Sequence, residues 1–175
     1  MGGNVLDAIR DRRSVREFTD ETVDDQTITA VLDAGRWAPS GLNNQPWRFI
    51  VIRDVGTIDR ISQCTKYSDV VRSAPLLIAI FIDTNAMYDR TKDVQAIGAC
   101  IQNMLIAIHS MSLGAVWLGE ILSQKEKVNE ILDAPDSLEL MAVLAIGHPT
   151  GERRASTRKA IRETAYKERY DSPWE

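Results

Sequence analysis

The chain predicts a protein of mixed helix and strand, and three observations carry that reading. Two runs dense in β-branched and aromatic residues, at 47–53 and 76–82, read as strands. Around them lie segments whose apolar residues recur every three to four positions, which is the helical period. A long polar turn, Pro39-Ser40-Gly41-Leu42-Asn43-Asn44-Gln45-Pro46, then leads straight into the strand at Trp47. A chain of 175 residues can bury a sizeable core, and we expect residues 1–175 to form one domain.

Taken in order, Val5, Leu6 and Ile9 make a short amphipathic helix, so Arg10, Arg12, Arg13 and Arg16 lie at and beyond its last turn. From 25 to 37, Ile28, Val31, Leu32 and Gly35 keep helical spacing, with Asp24 or Asp25 as N-cap. Pro39 stops that helix, because the residue before a proline avoids helical backbone angles. Residues 47–53 form a strand, and 58–71 are helical in pieces. The run 76–82 is apolar on both faces, which predicts a central strand.

Residues 93–111 predict a long helix. Val94, Ile97, Ile101, Met104, Leu105 and Ile108 keep its period, while Ala96, Ala99, Cys100 and Ala107 occupy other faces. A helix apolar nearly all round must be covered on every side, which points to a subunit interface as much as to a core. Gly114 is its expected C-terminal stop. There follow a short strand at 115–118, a capped helix at 123–132 and an apolar strand at 140–146. After Gly147-His148-Pro149 the tail turns basic, with Arg153, Arg154, Arg158, Lys159 and Arg162, and a last short helix is expected.

Bulk properties narrow the function classes. The chain is 44% hydrophobic and 26% charged, ordinary for a soluble protein. Its net charge of −4 argues against a nucleic-acid binder, which needs an excess of cations on one face. Cys64 and Cys100 form no Cys-x-x-Cys pair, and Cys100 sits in an apolar run as a small core residue. His109 and His148 are too few and too separated for a metal site, so we expect no metal. Two separated cysteines fit a reducing cytoplasm. The N-terminus carries no signal pattern, and the longest apolar run, 74–82, is far too short to span a membrane.

Two segments carry candidate chemistry. Arg12-Arg13-Ser14-Val15-Arg16-Glu17-Phe18 offers three cations and a hydroxyl within five positions. Such a cluster commonly neutralises a helix C-terminus and stays solvated, but arginine's planar fork and the serine hydroxyl also suit a phosphate. The turn at 39–46 can be an ordinary helix-to-strand connection, yet it is denser in amides than a connector needs, as a loop that hydrogen-bonds a polar ligand would be. No Gly-x-Gly-x-x-Gly or Walker loop occurs, so a dedicated dinucleotide fold is unsupported.

In wording and order these two segments resemble the FMN-dependent nitroreductase family. The likeness runs along nearly the whole chain: Gln102-Asn103-Met104-Leu105 followed by Leu113-Gly114-Ala115-Val116-Trp117-Leu118-Gly119 is similar to the family's long interface helix and next strand. Ile146-Gly147-His148-Pro149 is similar to its last strand and turn, and Arg158-Lys159 to its basic pair. The resemblance implies an α+β fold of three layers, a mixed central sheet flanked by helices, in an intertwined homodimer with two FMN molecules at the interface. It implies that Arg12, Arg13, Ser14 and Arg16 hold the phosphate, ribityl chain and pyrimidine edge, and that Arg158 makes a second phosphate contact. Pro39, Ser40, Gly41 and Asn43 match the loop lent by the partner subunit. Leu118, Gly119 and the backbone of Glu120 match the stretch against the flavin near N5.

The implied activity is a ping-pong transfer of hydride from NADH or NADPH, through the flavin, to a nitroaromatic, quinone or similar small acceptor. The flavin carries the chemistry, no side chain acts as nucleophile, and Arg16 stabilises negative charge on the reduced ring. The fold also hosts flavin-fragmenting and dehalogenating relatives, and a flavin carrier or sensor without nucleotide turnover is the alternative of a different class. Three departures stand out: Ser156 replaces a second basic residue found in many relatives, Tyr67 lies where some place Asn or Lys, and the short segment 83–92 leaves little room for the inserted helices that form a lid in longer members. An open, tolerant site is expected.

Overall fold

Leu76–Asp83 reads Leu-Leu-Ile-Ala-Ile-Phe-Ile-Asp, and such a run finds its energy minimum only with apolar layers on both sides. In the computed structural model, which describes residues 4–151 and 155–174, this segment is strand β2, buried along both faces. It lies between β1 (Trp47–Ile52) and β4 (Leu138–Gly147), and β3 (Gly114–Leu118) pairs with the far side of β4. The sheet order is therefore β1-β2-β4-β3. Register is set by pairs such as Phe49↔Ile80, Ile78↔Leu144 and Val116↔Ala145.

The alternation of side chains along β2 sorts the core into two halves. Leu76, Ile78, Ile80 and Ile82 face helices α2 (Asp25–Arg36) and α5 (Arg90–Ser110), where Val31, Ile97, Ile101 and Met104 are buried. Leu77, Ala79 and Phe81 face α3 (Val55–Ser62), α4 (Ser68–Ser73) and α6 (Lys125–Ile131), with Ile61, Val71 and Val128. The protein is thus a three-layer α+β fold. α1 (Val5–Asp11) precedes these layers, capped by the Asn4 side chain on Leu6 N–H, and leaves Val5, Leu6 and Ile9 exposed.

Local chemistry explains most boundaries. Asp24 and Asp54 cap α2 and α3 by accepting from Thr27 and Thr57 N–H; bonds from the same threonines' hydroxyls, and then these N–H bonds, hold both carboxyls below their ordinary range. α2 ends at Arg36, with Trp37 as its C-cap just ahead of Pro39. The region expected to be helical in pieces is α3 and α4.

Four expectations need adjustment. The four strands pair antiparallel throughout, and the parallel component among the described residues is one bridge, Ser14↔Ala115. The stop of α5 is Ser112, left-handed at φ 63°, and not Gly114, which is already in β3. The capped helix expected at 123–132 is a 3-10 turn (Glu120–Gln124) running into α6, with no side-chain cap at Gln124. The final helix is a single 3-10 turn, Ile161–Glu163; of the basic tail, Arg153 and Arg154 lie outside the described residues.

α5 is less uniformly buried than its composition suggests. Asp93, Ala96, Ile97, Cys100, Ile101, Met104, Leu105 and Ile108 face the core. Gln95 and Gln102 are exposed on the opposite side, with Gly98 and Ala99 half-buried between them. A Cβ added at Gly98 would meet nothing within 4 Å. Among the described residues, no helix is long and apolar enough to cross a membrane.

Candidate functional site

The arginine segment runs beside the start of β3. Val15 N–H donates to Ala115 O at 2.9 Å, and Ser14 is bridged to the same residue. Gly114 makes this approach possible: a Cβ there would sit 2.7 Å from the Val15 side chain. The backbone of 13–15 is thereby tied to the sheet, and the cations project from an anchored edge rather than from a free helix end.

Arg12 and Arg13 border a small hollow lined by Val15, Leu105, Ile108, Leu113 and Ala115. Arg13 donates to the carbonyls of Arg10 and Arg12, which orients its guanidinium. Arg12 Nε is buried without a hydrogen-bond partner. Burial first, then the positive charges of Arg13 and Arg158, hold the Arg12 pKa below the usual arginine value. The charge of Arg158, remote in sequence, thus reaches Arg12, while its own fork rests on Ser156 Oγ and Thr157 O. A buried donor facing two further cations is a local surplus of positive charge, and an anion is the species that would relieve it. Arg16 is exposed close by.

The polar turn forms a second site. It contains a 3-10 turn (Gly41–Asn43), with Leu42, Asn43 and Gln45 at φ 55°, 54° and 47°. Ser40 Oγ accepts from Gln45 N–H at 3.1 Å, and Gln45 Nε2 donates to Asn43 O at 3.3 Å. Pro39, Ser40 and Gly41 border an open groove with Tyr88, Lys92, Gln95 and Ala99. Asn43 is exposed at the loop's rim.

Leu118 ends β3, and Gly119 and Glu120 follow it, at the other end of that strand from Ala115, to which Ser14 is bridged. The Leu118 side chain is core, so what it can offer is backbone, and a Cβ on Gly119 would meet nothing within 4 Å. The Glu120 carboxylate accepts from Thr65 Oγ1 at 2.6 Å and from Lys66 N–H at 3.1 Å. The Thr65 bond in particular holds its pKa below the ordinary value. It fixes the turn that carries Tyr67, a residue half-exposed under Lys66.

The structure thus gathers Arg12, Arg13, Ser14 and Arg158, but keeps the 39–43 loop apart from them. Their lining residues lie at opposite ends of α5: Gln95 and Ala99 for the loop, Leu105 and Ile108 for the arginines. At about 1.5 Å per residue these groups sit about 15 Å apart along the helix. Sequence reasoning missed Asn44, Asp93, Tyr88 and the Thr65–Glu120 link. A charged residue inside an apolar helix was the one available signal, at Asp93. Neither cysteine is a candidate nucleophile, since burial raises the Cys64 pKa and pushes Cys100 up to about 12.

Comparison with known proteins places the chain in a family. The model of the Nitroreductase family matches residues 9–65 and 59–148. A provisionally named NADH dehydrogenase/NAD(P)H nitroreductase of Methanothermobacter thermautotrophicus is 32% identical over 148 residues, 83% of this chain and 78% of that protein. The NADPH-flavin oxidoreductase of Vibrio harveyi is 28% identical, over 83% of this chain and 66% of its own length. Among solved structures, a provisionally named nitroreductase of Desulfovibrio desulfuricans in complex with FMN superposes with a TM-score of 0.91 at 46% identity, covering 97% of this chain and 99% of that one. With the family's model spanning most of its length and a relative 32% identical over 83% of it, this chain belongs to the nitroreductase family.

Proposed function

We propose that the protein is an FMN-dependent oxidoreductase that takes hydride from NADH or NADPH and passes two electrons to a small acceptor such as a nitroaromatic or a quinone. The observation that carries it is the surplus of positive charge at Arg12, Arg13 and Arg158, with Arg12 Nε buried and unpartnered. That surplus suits one terminal phosphate. The relatives' names and the FMN held by the Desulfovibrio neighbour support the same cofactor.

Bound FMN would supply the two-electron chemistry; the chain supplies grip, orientation and charge. Arg12, Arg13 and Arg158 would hold the phosphate, with Ser14 offering a hydroxyl. Arg16 would lend positive charge to the ring's pyrimidine side. Leu118, Gly119 and Glu120 would border the reacting edge by backbone, in the open space beside Gly119. Pro39, Ser40, Gly41 and Asn43 would serve the flavin of a partner subunit, a reading supported by their separation from the arginines along α5. The exposed apolar residues of α1 and the half-covered face of α5 support a homodimer. The connection from Asp83 to Arg90 is a turn, which supports an open site accepting varied small molecules. We read the chain as one domain and, from its two separated free thiols, as cytoplasmic.

An anaerobic titration tests the proposal. Protein loaded with FMN should lose its flavin absorbance on adding NADH or NADPH and regain it on adding a nitroaromatic or quinone. Flavin colour that survives excess of both nucleotides would refute turnover and favour a flavin carrier. Release of FAD alone on denaturation would refute the cofactor.

A further inference from the structure

We propose that Asp93 is a positioning residue, which holds the 40–45 loop in its ligand-presenting shape by pinning Asn44 and Tyr88 at once. The proposal rests on the reading of that loop as part of the flavin site. Asp93 is fully buried, and its carboxylate accepts three hydrogen bonds. Oδ1 accepts from Asn44 Nδ2 at 2.7 Å, and Oδ2 accepts from Tyr88 N–H at 2.9 Å and Asp89 N–H at 3.0 Å. Burial disfavours its charge, but the bonds from Asp89, Asn44 and Tyr88, with the charge of Lys92, outweigh that effect and keep it ionised.

Helix capping does not account for this arrangement. α5 already has its N-cap in Asp89, whose side chain accepts from Lys92 N–H at 3.0 Å. What Asp93 adds is a tie between segments far apart in sequence. Asn44 Nδ2 also donates to Ala86 O at 3.0 Å, so its amide group faces two acceptors and cannot flip without placing oxygen against oxygen. The same amide's oxygen is buried without a partner, a cost that the two donated bonds outweigh.

The loop needs such a tie. Leu42, Asn43 and Gln45 all have positive φ, a region that side chains other than glycine disfavour. Leu42 is 86% exposed, so the loop's own apolar residue does not hold it inside this chain. Tyr88, whose N–H Asp93 accepts, closes the other side: its ring lies so near Gly41 that a Cβ there would come within 2.5 Å of ring carbons. Removing the Asp93–Asn44 bond should free the turn to relax toward ordinary backbone angles, withdrawing Ser40, Gly41 and Asn43 from their places.

The test compares FMN with riboflavin, which lacks the phosphate, on Asp93→Asn and Asn44→Ala. Asparagine at 93 still accepts from Tyr88 and Asp89 through its oxygen but turns a donor toward Asn44. Asn44→Ala breaks the same bond while leaving α5 untouched. Each variant should weaken FMN and riboflavin alike, by roughly ten- to a hundredfold, the loss expected of one charge-assisted bond. The ratio of the two affinities should stay native, because the arginines are undisturbed. Amide exchange should quicken over 41–45 and stay native in β2, and the double variant should be no weaker than the worse single one. Native affinity in Asn44→Ala, or a loss confined to FMN, would overturn the proposal alone. Failure of the native protein to bind FMN would overturn the flavin reading and the proposal with it.

Discussion

Arg12→Ala is the substitution for which the structure makes the sharpest statement, because it separates ligand binding from folding. In the ligand-free chain Arg12 is partly buried, its Nε lacks a partner, and Arg13 and Arg158 repel it. Deleting the guanidinium removes an unpaired buried donor and a like-charge repulsion, so the apoprotein should be no less stable than the native one. In the complex the same group would make a charge-assisted bond to phosphate, worth about 1.5–3 kcal/mol. At about 1.4 kcal/mol per decade that is roughly 10- to 150-fold in affinity. The neighbouring cations move toward the low end of that range, since Arg13 and Arg158 would still hold part of the anion's charge. Fluorescence titration with FMN and with riboflavin reads the effect, alongside a urea midpoint for the apoprotein. FMN should weaken and riboflavin should not. Unchanged FMN affinity, an equal loss for riboflavin, or a large drop in apoprotein stability would each refute the assignment of a phosphate to this hollow.

Three further outcomes follow. Gly114→Val puts a side chain where a Cβ already lies 2.7 Å from Val15; overpacking of this kind costs about 1–3 kcal/mol, so both the melting temperature and FMN affinity should fall, and native values for both would refute the anchoring of 13–15 on β3. A Cβ at Gly98 meets nothing within 4 Å, and Gly98→Glu removes a helix-interior glycine, which by itself adds about 0.5–1 kcal/mol. Sedimentation read at the flavin band should nevertheless show loss of dimer and of bound flavin together; a flavin-loaded dimer would refute that face as the interface. Asp93 and Glu139 are both held below their ordinary carboxylate values, the latter chiefly by its bond from Arg90. The folded protein therefore binds fewer protons than the unfolded chain near pH 4, and the stability they contribute is complete above the unfolded value and lost as pH falls through the depressed folded ones. Urea midpoints from pH 7 to 3 should decline at the acid end, and a maximum below pH 4 would refute this.

The sequence alone determined the parts whose cause is local. Period and propensity located α2, α5, β1, β2 and β4, because an apolar stripe at helical spacing or a β-branched run reports its own backbone. The two candidate segments were legible for the same reason: arginines within a few residues, and amides within one turn, are neighbours in any fold. Only the tertiary structure decided what depends on distance between remote residues. It made the four strands antiparallel, since pairing direction follows from how α3–α4 and α6 return the chain and not from any strand's composition. It moved the helix stop to Ser112 and gave Gly114 another task, because Val15 arrives there from the far end of the chain. It buried Ile101 in the core, so that the less covered face of α5 is the Gln95, Gly98 and Gln102 side. It also brought Arg158 to Arg12 and Asp93 to Asn44. Charge and hydrogen bonding act within a few ångströms, and residues far apart in the chain come that close only after the core has formed.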